Sequence, residues 1–256
     1  MSLRERANIG FDRRIDIEWL DAAAGRVAAG YGPTEIREFL WGMLNGVVGG
    51  DTVHSARGKT LTVLMRIWVT VPPAAEPLRD AAIKRISSAS PGERLAIHWA
   101  MSVACYPFFA ELAAQTGKLL ALNGQASLSQ VVRRMTETWG DRSTLPRAIQ
   151  RILRSMVQWG ALSEGSEKGI FMPPERRVML SDGLAELMVR AILVSHGRGL
   201  ALTQATSHSA LFPFDVKLNA YGARNSDHLS VARQGDRSEF VELTAPFAKS
   251  MRSVTG

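Results

Sequence analysis

The 256-residue chain is 46% hydrophobic, enough to bury a core without covalent staples, and 31 Lys and Arg against 24 Asp and Glu leave a formal charge of +7. A single cysteine excludes an intramolecular disulfide framework and points to a reducing, cytoplasmic setting, while the positive excess suits an acidic partner such as nucleic acid. The charged opening Met1-Ser2-Leu3-Arg4-Glu5-Arg6 has no apolar run behind it and does not read as a signal peptide, and the near-uncharged stretch from Leu95 to Ala110 is too short to span a bilayer, so no membrane partner is expected.

Tyr31-Gly32-Pro33 reads as a helix start with Pro33 in the first turn, followed by Ile36, Phe39, Leu40, Met43, Leu44, Val47 and Val48 at helical spacing. After Gly49-Gly50-Asp51 a second helix is predicted from about Ser55 to Val71, stopped by Pro72-Pro73, and a shorter one over about 76–87. Ser90-Pro91-Gly92-Glu93 is a capping box opening a helix that is apolar almost all round and should break near Tyr106, ahead of Pro107; a helix over 108–122 resumes the chain. Residues 1–116 therefore read as a helical bundle.

Residues 117–175 read as a winged helix. Ser127-Leu128-Ser129-Gln130 is a second capping box, and Leu128, Val131, Val132, Met135 and Trp139 face inward along the helix it opens. Gly140-Asp141 ends that helix, and the next is predicted to start near Ser143, with Ser143 as its cap and Pro146 in its first turn. Leu145, Ala148, Ile149, Ile152, Leu153, Met156 and Val157 form one apolar stripe on it. The opposite face carries Arg147, Gln150, Arg151, Arg154 and Gln158, with no acidic residue from Ser143 to Trp159. Gly160 suits a left-handed helix end, and Ser163-Glu164 and Ile170-Phe171-Met172 flank a Gly165-to-Gly169 turn as a hairpin.

Such a module places its second helix in the major groove, where Arg pairs with guanine and Gln with adenine, and hydroxyls hold phosphates. The candidate residues for double-stranded DNA are Arg147, Gln150, Arg151 and Arg154 in the groove, and Arg142, Ser143, Thr144 and hairpin-tip Lys168 on the backbone. Arg133 and Arg134 on the preceding helix add charge. The competing expectation is a scaffold whose winged helix docks a larger protein.

Over residues 176–256, Asp182 is expected to cap a helix ending near Gly197, and Phe214–Tyr221, His228–Gln234 and Glu239–Leu243 read as strands of a small antiparallel meander. The expected fold is thus mostly α: a helical bundle, a winged-helix (helix-turn-helix plus β-hairpin) module, and a short β-rich C-terminal segment.

The layout of about residues 30–165 resembles the BrxA-like accessory proteins of bacterial BREX phage-defence systems. The resemblance lies in Ser55-Ala56-Arg57 leading a helix through Arg66-Ile67-Trp68, in Tyr106-Pro107-Phe108-Phe109, and in Arg151-Ile152-Leu153-Arg154 ending at Trp159-Gly160-Ala161-Leu162. It implies a small, non-enzymatic, DNA-binding component of an antiviral defence system, partnered by other proteins of that system. The strand-rich tail after about residue 205 departs from that layout.

Several stretches point away from catalysis, and neither a metal nor a cofactor is expected. Arg57-Gly58-Lys59-Thr60 lacks the earlier glycine of a phosphate loop, since position 53 is Val53. His54, His98, His196, His208 and His228 show no metal-binding spacing. Phe214-Asp215-Val216-Lys217 lacks the upstream acid of a nuclease site, and Cys105 sits in an apolar run that should raise its pKa.

Overall fold

A computed structural model describes residues 9–234 and 238–244; the charged opening at 1–6 and the turn at 235–237 lie outside the described residues. The protein is mostly helical, with a few small sheets.

The first helix, α1 (Ile17–Ala28), has no counterpart in the sequence reading, although Leu20, Ala23 and Ala24 lie buried at helical spacing. Next comes α2 (Pro33–Met43), with Pro33 in its first turn as expected; it ends at Met43, so Leu44, Val47 and Val48 fall in the following turns. In α3 (Ala56–Trp68) the Ser55 hydroxyl caps the Gly58 amide. The Arg57-Gly58-Lys59-Thr60 stretch therefore lies within a helix. Arg57 is buried, with its guanidinium 2.9 Å from the Trp41 carbonyl and 3.1 Å from both Asn45 and Asp51. A Cβ on Gly58 would stand 2.3 Å from the Val53 carbonyl oxygen, so this glycine serves a close backbone approach.

After α4 (Glu76–Ile86), the Ser90 capping box opens α5 (Pro91–Cys105), and α6 (Pro107–Asn123) follows at a 118° bend. Proline at 107 cannot donate to the ladder of α5, and Tyr106 turns extended just before it. Every residue of α5 from Leu95 to Cys105 is buried. Its Trp99 is the hub of the core, with ring centroids 5.1 Å from Phe109, 6.3 Å from Trp159, 5.5 Å from Phe212 and 5.7 Å from Phe214. The Trp99 indole donates to the Ala210 carbonyl at 3.0 Å. Residues from all three segments of the chain thus meet on one side chain.

Beyond α6 come β1 (Ala126–Ser127), α7 (Leu128–Trp139), α8 (Leu145–Gln158), β2 (Ser163–Glu164) and β3 (Ile170–Met172). The three strands form one antiparallel sheet in the order β1-β3-β2, with Ala126 opposite Phe171 and Ser163 opposite Met172. The Ser127 capping box forms as expected, with the Ser127 hydroxyl 3.2 Å from the Gln130 amide and the Gln130 oxygen 3.1 Å from the Ser127 amide. Gly160 takes φ 78°, and the Ala161 and Leu162 amides turn back onto the Met156 carbonyl.

Three local expectations are corrected. Ser143 does not cap α8: the helix starts one residue later, after Thr144, which is itself in a near-helical conformation and makes no side-chain cap bond. Asp182 does not cap its helix either; α9 (Asp182–His196) begins after Ser181, whose carbonyl receives the Leu184 and Ala185 amides, and Asp182 sits in the first turn where its charge favours the helix dipole. Phe214–Tyr221 is not a meander strand. Preceding it, β4 (Val178–Met179), β5 (Leu200–Ala201) and the short α10 (Leu202–Thr206) are in place; then β6 is only Phe214–Asp215 and pairs in parallel with β4. The Asn219 side chain accepts from the Gly222 amide and starts α11 (Ala220–Arg224) instead. The two remaining candidates do pair, as the antiparallel hairpin of β7 (Leu229–Gln234) and β8 (Ser238–Leu243), with β8 also joined to β5.

Among the described residues no single helix is long and apolar enough to cross a membrane.

Candidate nucleic-acid interface

Helix α8 is built to present one face. Leu145, Ala148, Ile149, Ile152, Leu153 and Met156 are all buried, and α8 packs beside α7. Burial of this stripe leaves Arg147 and Arg154 exposed and Gln150 and Arg151 half-buried.

The exposed side of α8 is not uniform. On one flank, Gln150 and Arg154 join Ser127, Ser129 and the hairpin residues Glu164, Glu167 and Lys168 around a groove of about 780 Å³. Leu128, Val132 and Ile170 form its apolar floor. Lys168, at the hairpin tip, is exposed beside Glu167.

On the other flank, the N-terminal segment lies along the helix. The Asp12 carbonyl accepts from Arg151 at 3.0 Å, and the Ile15 amide donates to the buried Ser155 hydroxyl at 2.8 Å. Gln158 accepts from the Ile17 amide at 2.8 Å and donates to Glu18 at 2.9 Å, and the Trp159 indole donates to the Ile15 carbonyl at 2.8 Å. Arg151, expected in the groove, is therefore also a tether for residues far away in sequence. Partial burial first, and the neighbouring Arg13 second, push the Arg151 guanidinium below its ordinary value; Arg147 acts in the same sense and Asp12 against it. Positive charge is crowded here.

The remaining candidates spread over this side. Arg133 is exposed and Arg134 half-buried on α7, and Ser143 and Thr144 are exposed ahead of α8. Arg142 and Thr144 border a different hollow, of about 680 Å³, together with Ile9, Gly10 and Asp12, with Lys59, Thr62 and Arg66 of α3, and with Tyr106 and Pro107. Sequence reading missed Arg13, Lys59 and Arg66, because nothing local signals that residues 12–18 come to lie beside α8 or that α3 shares a hollow with the α7–α8 connection.

The stretches read as non-catalytic have structural partners. Cys105 is buried, and burial pushes its thiol up to about 12, in the expected direction. Lys217 pairs with Asp215 at 3.1 Å, and His98 pairs with Asp21 at 2.9 Å. Comparison with protein-family models, with curated proteins and with solved structures gives no match to this chain.

Proposed function

We propose that α6, β1, α7, α8, β2 and β3 form a winged-helix module through which this protein binds double-stranded DNA, acting as a non-enzymatic accessory or regulatory protein. The order of elements supports this reading, with β1 ahead of α7 and the β2–β3 hairpin after α8. The observation that carries it is the exposed face of α8: Arg147, Gln150 and Arg154 stand on a helix with no acidic residue, beside a hairpin that reaches the same groove. Arg147 and Arg154 are separated by two helical turns, a spacing at which both reach one stretch of duplex. The resemblance to BrxA-like proteins extends the proposal to a role in bacterial phage defence in the cytoplasm.

The test is a titration of labelled duplex against the protein at two salt concentrations. With about four to six phosphates neutralised, affinity falls well over tenfold between low and physiological salt. Arg147→Glu with Arg154→Glu abolishes binding and leaves thermal melting unchanged. Arg151 is kept in this variant, since replacing it also cuts its bond to the Asp12 carbonyl. A folded double variant that binds duplex like its parent rules out α8 as the recognition helix.

A second reading, docking of a partner protein, is favoured by the groove itself. Glu164 and Glu167 flank an apolar floor of Leu128, Val132 and Ile170, a combination suited to a protein segment and unfavourable to phosphate. Under this reading, salt leaves affinity nearly unchanged and duplex does not bind.

A further inference from the structure

Among the described residues, the hollow between α3 and the α7–α8 connection is lined by three cations drawn from two distant parts of the chain. Lys59, Thr62 and Arg66 lie at i, i+3 and i+7 on the exposed side of α3, while Val63, Leu64, Ile67 and Trp68 bury its other side. Arg142 and Thr144 face them from the connection.

Arg66 is held in place before any ligand arrives. Its Nε donates to the Cys105 carbonyl at 3.3 Å, at the end of α5, and its guanidinium carbon stands 5.3 Å from the centroid of the Tyr106 ring. These contacts orient the fork, and among the described residues neither terminal nitrogen makes a hydrogen bond. A fork so positioned matches two oxygens of a phosphate, and the exposed Thr144 stands on the same lining, while the Thr62 hydroxyl donates to the Gly58 carbonyl at 2.9 Å within α3. Among the described residues Asp12 is the one acid on the lining, and its carboxylate lies 3.5 Å from Arg13. Arg13 in turn crowds Arg151, as Arg147 does. Asp12 thus joins the lining of the hollow to the flank of α8, with its carboxylate beside Arg13 and its carbonyl accepting from Arg151.

We infer that this hollow is a phosphate-binding subsite that takes the backbone of the same DNA duplex beyond the footprint of α8, with Lys59 and Arg66 as its principal contacts. The inference rests on the reading of α8 as the duplex-binding helix. Duplex bound there gains contacts on α3 that a lone winged helix lacks, so affinity rises with duplex length past the α8 footprint.

The test uses the full chain with Lys59→Glu and Thr62→Glu together, two exposed positions whose new carboxylates reverse the charge, the one at position 62 lying one turn from Arg66. Anisotropy titration with a labelled duplex of about 24 base pairs, between about 50 and 200 mM salt, is expected to show roughly tenfold weaker binding and a log–log salt slope smaller by about one to two units. Melting stays as in the parent. If the parent binds duplex, Arg147→Glu with Arg154→Glu abolishes that binding, and the α3 variant matches the parent in affinity and slope, the subsite is refuted and the α8 reading stands. A parent that binds no duplex removes both. A third arm titrates inorganic pyrophosphate by calorimetry: binding that the α3 variant loses, with the duplex salt slope unchanged, assigns the hollow to a small free anion and overturns the inference.

Discussion

Helices α5 and α8 have nearly the same length, 15 and 14 residues, and opposite relations to their surroundings. Along α5 every side chain from Leu95 to Cys105 is buried, and Trp99 touches rings from three separate parts of the chain. Along α8 one stripe is buried with equal thoroughness, but Arg147 and Arg154 remain in solvent. A helix enclosed on all sides can only hold the fold together. A helix enclosed on one side holds its neighbours and keeps a face toward solvent, and in this protein residues 12–18 occupy part of that face.

The sharpest way to break the comparison is Ile152→Asp. The two helices are equivalent on their buried sides, so a carboxylate at this fully enclosed position is expected to cost at least about 4 kcal/mol and to unfold the region around α8, read by loss of the melting transition. Normal melting would place Ile152 outside the core. Trp99→Ala follows, with an expected loss of about 3–5 kcal/mol in urea unfolding from the cavity and the orphaned Ala210 carbonyl. A loss below about 1 kcal/mol would deny α5 its central role.

Ser155→Ala tests the shared flank of α8. It leaves the buried Ile15 amide without its acceptor, at a cost of about 1–3 kcal/mol, and hydrogen exchange at Ile15 and Ile17 should quicken before that of α8 itself. Uniform exchange along the chain would show that the N-terminal segment does not release separately.

Acid should weaken a region remote from α8. Burial, then the adjacent His196, pushes His208 down from its ordinary 6.5 to about 4, so its neutral form is the folded one. The associated stability is complete above pH 6.5 and is lost as pH falls toward 4, since the unfolded chain takes up the proton first. His208→Asn keeps an acceptor for the Ala210 amide and should flatten the fall in melting temperature between about pH 6.5 and 4. An unchanged pH profile would assign the acid sensitivity elsewhere. Smallest of all, Arg154→Ala on the exposed face is expected to shift stability by no more than about 0.5 kcal/mol.

The local signals were legible where they depend on residues a few positions apart. Both capping boxes, the break at Pro107, the apolar stripe of α8 and the Gly160 helix end form at the expected positions, because each is set by hydrogen bonds or periodicity within one turn or two. Missed elements have weaker local marks. In α1 the buried face is two alanines and a leucine, too small to stand out as a stripe, and Phe214–Tyr221 alternates like a strand although Asn219 diverts it into a helix.

The sequence by itself determined that α8 has a basic face, since its apolar stripe leaves Arg147, Gln150, Arg151 and Arg154 nowhere else to go. Only the tertiary structure decided how that face is divided. Residues 12–18 claim Arg151, Ser155 and Gln158, the hairpin turns Gln150 and Arg154 toward a groove with two acids, and α3 brings Lys59 and Arg66 beside Arg142. These partners lie far apart along the chain, and no short-range pattern encodes them. Their meeting depends on how the helices pack against one another, which is a property of the assembled core.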